Sequence, residues 1–237
     1  MIKKILSTLL VSSTLLVFSG LNSMAERPTV AIGAALQYGG YSASGQEIEG
    51  SSGVTREGYN TETHKRNEAM EVGYSSVFLE VSMRDRLTIG VEYMGESVET
   101  DTESRTDSAA PGSVISEADT GTSSVRVEFS DMVTAYAELR LIGGMYAKIA
   151  TMSIDIETKE NLHTSSSYGN MTLDGMGYGF GWINSWDNGV FLKTDMMIHD
   201  WDDFQMSATS ADATPNGNQI KGNLDGAIAS FRLGKAF

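Results

Sequence analysis

A period of two, sustained over eight separate segments, is the feature that most limits what this chain can fold into. The segments are residues 29–41, about 69–84, 87–95, 123–139, 145 to about 157, 171–186, 190–201 and 227–237. In the first, Val30, Ile32, Ala34, Leu36 and Tyr38 alternate with Ala31, Gly33, Ala35, Gln37 and Gly39. In the fourth, Val125, Val127, Phe129, Val133, Ala135, Ala137 and Leu139 share one face. Arg126, Glu128, Ser130, Met132, Thr134, Tyr136 and Glu138 share the other, and Asp131 alone interrupts the apolar row. In the sixth, Met176, Tyr178, Phe180 and Trp182 oppose four glycines, Gly175, Gly177, Gly179 and Gly181. Alternation of this kind is a strand signal, with each face meeting a different environment. The fifth segment is ambiguous in phase, which is consistent with a β-bulge.

The connections alternate too. Long polar stretches, about 42–68, 96–122, 158–170 and 202–220, follow the odd-numbered strands. Short ones follow the even-numbered strands, among them Asp187-Asn188-Gly189, whose Asn and Gly tolerate positive φ. A soluble β-sandwich has no reason to alternate long and short connections. A transmembrane barrel does, with long loops on one side and tight turns on the other. Residues 26–237 are therefore expected to form an all-β, closed, antiparallel up-and-down transmembrane β-barrel of eight strands, with those four long loops external. Hydrocarbon offers no partner to backbone N–H and C=O groups, so strands can span a membrane only as a closed ring.

The ends of the chain agree. Lys3 and Lys4 precede an apolar run from Ile5 to Phe18, and Ser23-Met24-Ala25 has the small-x-small form of a cleavage site. Residues 1–25 are expected to be a cleaved secretory signal peptide; the apolar run is too short for a membrane helix of roughly 20 residues. The chain has no cysteine, so no disulfide is available to it. Loss of Lys3 and Lys4 takes the net charge from −14 to about −16, which excludes a phosphate-neutralising surface and hence nucleic acid as a partner.

An eight-stranded barrel has an interior just wide enough for side chains to fill. The inward faces predict a lumen network of Glu80, Glu92, Arg126, Glu128, Glu138, Lys148, Lys193, Asp195 and Arg232. Isolated buried charges are costly, so these are expected to pair. A plug of ion pairs is favoured over a polar conduit, because the lumen is narrow. Tyr38 and Tyr93 at the outer strand ends, and Trp182, Trp186 and Phe237 at the inner ends, suit two interfacial aromatic girdles.

Motifs for chemistry are absent: there is no phosphate loop, no nucleophile elbow and no Cys/His cluster, and no cofactor or metal is expected. His64 and His163 fall in predicted loops. His199 stands beside Asp200, Asp202 and Asp203. This resembles the mouth of the outer-membrane surface proteases, which are larger, ten-stranded barrels. The second acidic pair of those enzymes has no counterpart here, and the chain is expected not to be an enzyme. The second long loop sets Glu96, Glu99, Asp101, Glu103, Asp107, Glu117 and Asp119 against Arg105 alone, the composition of a solvated loop.

The last strand places Phe231, Leu233 and Phe237 on its apolar side, although Lys235 stands where an apolar residue is usual. A terminal aromatic on such a strand resembles the signal by which the barrel assembly machinery recognises its clients. The whole chain after residue 25 resembles the eight-stranded outer-membrane families: the opacity proteins, the OmpX-like barrels and the transmembrane domain of outer-membrane protein A. The resemblance implies the outer membrane of a Gram-negative bacterium. It also implies lipid, lipopolysaccharide and the assembly machinery as partners, and a monomer. A structural or surface-interaction role follows, with an extracellular ligand or phage meeting the loops. The alternatives are a small porin-like channel and, less favoured, an outer-membrane enzyme.

Overall fold

The computed structural model describes residues 28–49, 62–83, 86–108, 120–161, 167–207 and 219–237. They form eleven strands: β1 (Thr29–Glu49), β2 (Glu62–Met83), β3 (Leu87–Met94), β4 (Val98–Glu99), β5 (Glu103–Ser108), β6 (Thr120–Arg140), β7 (Met145–Asn161), β8 (Met171–Ser185), β9 (Val190–Trp201), β10 (Phe204–Ser207) and β11 (Gln219–Ala236). Eight of these make a ring in the order β1-β2-β3-β6-β7-β8-β9-β11, closed by antiparallel pairing of β11 with β1. The closing ladder is long, from Ala31 opposite Ala236 to Ile48 opposite Gln219. Closure removes the exposed edges that an open sheet would present to lipid. The chain is an all-β, up-and-down barrel of eight strands, as the alternation predicts.

Both faces of the wall follow from the sequence period. Ile32, Leu36, Leu79, Ile149, Phe180 and Phe231 point outward and remain exposed, although each is large and apolar. A continuous apolar belt around a closed ring is a lipid-facing surface. Tyr38 and Tyr93 mark its upper edge, where their hydroxyls donate to Glu71 (2.8 Å) and Asp131 (2.5 Å). Trp182, Trp186 and Phe237 are exposed at the opposite rim, the one carrying the tight turns. Lys235 resolves its misfit there: its ammonium donates to the Asn188 carbonyl in the β8–β9 turn.

The strands outrun the belt. Residues 42–49 and 62–68, expected in a loop, are paired with one another up to Glu49 opposite Glu62. β4, β5 and the first residues of β6 lie within the stretch 96–122, β7 runs on to Asn161, and β10 falls inside 202–220. These residues are mostly polar, with only scattered apolar positions such as Val98, Phe204 and Met206, and so carry no sustained period-two signal. The backbone ladder needs no apolar side chain, and it continues into water. His64 accordingly lies in β2, its Cα opposite Glu47. His163, Glu117 and Asp119 fall outside the described residues.

Among the described residues the ring has a seam between β2 and β3. β2 pairs with β3 only from Val77 to Met83. Above that point the next strands in the chain, β4 and β5, pair with β6 instead. Side chains bridge the gap: Glu96 Oε1 accepts from the Ser75 backbone N–H (2.5 Å) and hydroxyl (2.6 Å), and Arg66 reaches Glu103 (3.1 Å). The hydroxyl and then the backbone N–H of Ser75 hold the Glu96 carboxyl below its usual range. A group with a lowered folded pKa contributes its stabilisation at neutral pH and loses it as pH falls through that lowered value. The Ser75 amide resonance is therefore expected to shift upfield on acidification, with a midpoint below about 4.3, the ordinary Glu value. The shift should be absent in Glu96→Ala. A midpoint at or above the ordinary value would show that this bridge does not form.

Candidate functional site

The inward side chains are stacked in layers. At the turn end, Phe78 and Phe191 pack with ring centroids 6.2 Å apart, beside Ala31 and Ala35. Above them lies a charged layer. Lys193 Nζ donates to both oxygens of Glu80 (2.8 Å) and to Glu138 (2.6 Å). Arg232 reaches Glu92 (3.0 Å) and, at longer range, Glu138 (3.6 Å) and Asp195 (3.9 Å). Lys148 pairs with Asp195 at 3.4 Å. All seven residues are buried, and Arg232 is fully so.

Four carboxylates face three cations, and neutral donors make up the difference. Tyr136 donates to Glu80 (3.0 Å), Tyr146 to Asp195 (2.9 Å) and Ser76 to Glu92 (2.6 Å); Gln37 also donates to Glu92. The Arg232 guanidinium lies between the rings of Phe78 and Tyr136, with its carbon 4.5 Å from each centroid. Ring faces, not oxygens, thus meet part of the fork, and Nε and Nη1 make no hydrogen bond. Wall glycines make this density attainable. A Cβ at Gly90 would sit 2.3 Å from the Tyr136 ring, and one at Gly181 would sit 2.4 Å from the Tyr146 ring. The void bounded by Glu138, Tyr146 and Lys193 is about 20 Å³, room for about one water.

Of the nine charges predicted for the lumen, the structure brings together Glu80, Glu92, Glu138, Lys148, Lys193, Asp195 and Arg232. Arg126 and Glu128 are corrections. β6 carries a bulge at residues 131–132: Ser130 opposes Asp155, yet Val133 opposes Ser153. Asp131 takes φ +53°, the left-handed region. One extra residue inverts the faces of everything above it. Arg126 and Glu128 therefore lie on the outer face, where Arg126 pairs with Glu99 (3.1 Å) and Glu128 with Lys159 (3.3 Å). Val125, Val127 and Phe129 turn inward instead. The bulge sits in β6, not in its ambiguous neighbour β7, whose buried positions alternate regularly from Tyr146 to Ile156.

That inversion lines a cup. Above the charged layer, Tyr41 and His199 share a 2.7 Å hydrogen bond (Oη to Nδ1), and Trp201 meets His199 edge-on at 6.3 Å. Tyr41, Trp201, Met94, Met132, Ile154 and Leu224 enclose a small apolar niche of about 30 Å³. It lies at the base of a cavity of about 840 Å³, lined by Met70, Val72, Val127, Phe129, Ile156 and Leu173 among others. The cavity widens toward the long-hairpin end, where exposed Arg66, Glu68 and Glu103 form its rim. Ala69 and Glu71, which point out of the barrel, also line it beside inward Met70 and Val72. Both faces of β2 can touch one cavity only because its edge is unpaired at the seam.

His199 is turned away from the aspartates beside it in sequence. Its ring is buried against Tyr41 and Trp201, whereas Asp200 points to the opposite face and Asp202 and Asp203 are exposed. Among the described residues no cluster of His, Asp or Glu is placed to hold a metal ion. The residues that the sequence reading left out of the network, Gln37, Ser76, Phe78, Tyr136 and Tyr146, could be found by one signal: each shares the inward parity of the charges it serves. At the last strand, Phe231, Leu233 and Phe237 all lie exposed on the apolar side, and the Phe237 N–H donates to the Val30 carbonyl (2.9 Å).

No family model and no curated protein matches this sequence. Three solved structures that resemble it do so at low identity. The outer membrane protein OprG of Pseudomonas aeruginosa is 10% identical, with 88% of this chain and 95% of that one covered and a TM-score of 0.45. The outer membrane protease OmpT of Escherichia coli is 10% identical, with 87% and 97% covered and a TM-score of 0.42. Neisserial surface protein A is 10% identical, with 81% and 95% covered and a TM-score of 0.29. The closed ring, the outward apolar belt and the charged layer inside it are the architecture of a transmembrane β-barrel, and this chain has that architecture.

Proposed function

We propose that this barrel is a non-enzymatic binding protein of the outer membrane, which takes up small apolar molecules in its outer cup and does not pass ions through its lumen. The observation that carries this reading is the division of the interior. An apolar cavity of about 840 Å³ ends on a layer of paired charges, and the void described beside that layer is only about 20 Å³. Pockets that hold small ligands are mostly apolar and run to roughly 300–1,000 Å³. A conduit would need a continuous wet path, and the charged layer interrupts it. With the long hairpins outside, as in other barrels of this architecture, the cup opens to the exterior and the charged layer closes the periplasmic side.

The chain has three tryptophans, and only Trp201 faces the lumen. In a Trp182→Phe/Trp186→Phe background it reports on the cup alone. A brominated long-chain alcohol added to the barrel in lipid nanodiscs is expected to quench Trp201 saturably, and planar bilayers containing the protein are expected to show no steady open-channel current. Unquenched Trp201 would overturn the binding reading. A stable ohmic conductance would favour the channel.

A further inference from the structure

The described rim of the cup carries an excess of negative charge. Glu68, Glu71, Glu99, Asp101 and Glu103 line it, with Arg66 as the only cation among the described lining residues. Arg66 is engaged by Glu68 and by Glu103 at 3.1 Å. From the outer wall, Arg126 reaches Glu99. Counting both arginines, five carboxylates face two guanidiniums. The interior below the rim is aliphatic and aromatic down to Met94, Met132 and Trp201. The cavity thus has an apolar depth and an anionic mouth.

We infer that the ligand of this cup is a cationic single-chain amphiphile, its hydrocarbon tail in the apolar depth and its ammonium group among the rim carboxylates. This rests on the cup being a binding site. Its added content is the choice of head group. A low-dielectric cleft lined by one sign of charge focuses the field and concentrates the opposite ion, by about 10-fold or more. A carboxylate-headed chain of the same length would meet like charge at the same place. The head group settles at the rim and not lower, because an ammonium in the niche would have no carboxylate partner and would bear the desolvation cost alone. Glu71 lies at the upper edge of the lipid belt, where Tyr38 donates to it, so a head group held there sits at the depth of the neighbouring lipid head groups; Glu103 lies farther out, opposite Val125.

The test uses the Trp182→Phe/Trp186→Phe barrel in phosphatidylcholine nanodiscs, with empty nanodiscs to correct for partitioning. Three brominated probes share one chain and differ in head group: ammonium, hydroxyl and carboxylate. The ammonium probe is expected to quench Trp201 at a concentration about tenfold lower than the carboxylate probe. The ratio should fall toward one at about 1 M salt, where the screening length is roughly 3 Å. It should also fall in Glu71→Gln/Asp101→Asn/Glu103→Gln, and the salt series on the parent protein decides the matter if that variant fails to fold. Equal quenching by all three probes, or a preference for the carboxylate, would overturn the head-group assignment while leaving the cup as a binding site. Quenching by none would overturn the cup itself.

Discussion

Arg232→Ala is expected to destabilise the barrel by about 3–5 kcal/mol, the usual cost of removing one partner from a buried ion pair. Urea titration of the refolded protein in lipid or detergent measures it. Among the described residues, Arg232 is the most buried charge and the only group that reaches Glu92, Glu138 and Asp195 together. Without it, four buried carboxylates retain only Lys148 and Lys193. Tyr136 also loses the donor to its hydroxyl, at 2.7 Å. Arg232→Lys should restore only part of the loss, because an ammonium lacks the planar fork that stacks between Phe78 and Tyr136. Glu92→Gln in the Arg232→Ala background should recover part of it by removing a charge that has lost its partner, a coupling visible in a double-mutant cycle. Arg126→Ala provides the contrast. Its side chain lies on the outer face and is 39% exposed, so a change within about 0.5 kcal/mol is expected. Should the two variants titrate alike, the charged layer would not be holding the wall together.

Most of this fold is legible in the sequence, because a lipid-facing strand has little freedom. One face must be apolar and the other must fit a narrow lumen, so period two reveals eight strands, the phase of all but the fifth segment within the belt, and seven members of the charged layer. Legibility stops where the lipid stops. Residues 42–49 and 62–68 are paired strand with no apolar face, and nothing in their pattern separates them from loop. It stops again at Asp131. A single polar residue in an apolar row reads as a blemish on a regular strand. In the structure it is the extra residue of a bulge, and it exchanges the two faces of β6 above it. That one shift hid the cup: Val125, Val127 and Phe129 read as lipid-facing when they line the cavity, and Arg126 and Glu128 read as lumen charges when they face out.

Asp131→Val separates the two readings of β6 directly. On a regular strand, Asp131 would be a carboxylate on the lipid face, and valine there should stabilise. In the bulge, residue 131 holds φ +53°. A β-branched side chain is strained in that region, where the left-handed conformation costs an L-residue roughly 1–2 kcal/mol. The substitution also removes the acceptor of the Tyr93 hydroxyl. Asp131→Val is therefore expected to destabilise by about 1–2 kcal/mol, and Asp131→Gly by less, since glycine adopts positive φ without that strain. Deleting Asp131 outright should be better tolerated than its position suggests. Met132 would then oppose Ile154 in an unbroken ladder, Ser130 would still oppose Asp155, and Val125, Val127 and Phe129 would keep facing the cup. The deletion variant should thus fold and still show quenching of Trp201 by the brominated alcohol. If Asp131→Val is instead the more stable protein in urea, the strand is regular, Arg126 and Glu128 point into the lumen, and the apolar cup does not exist in the form described.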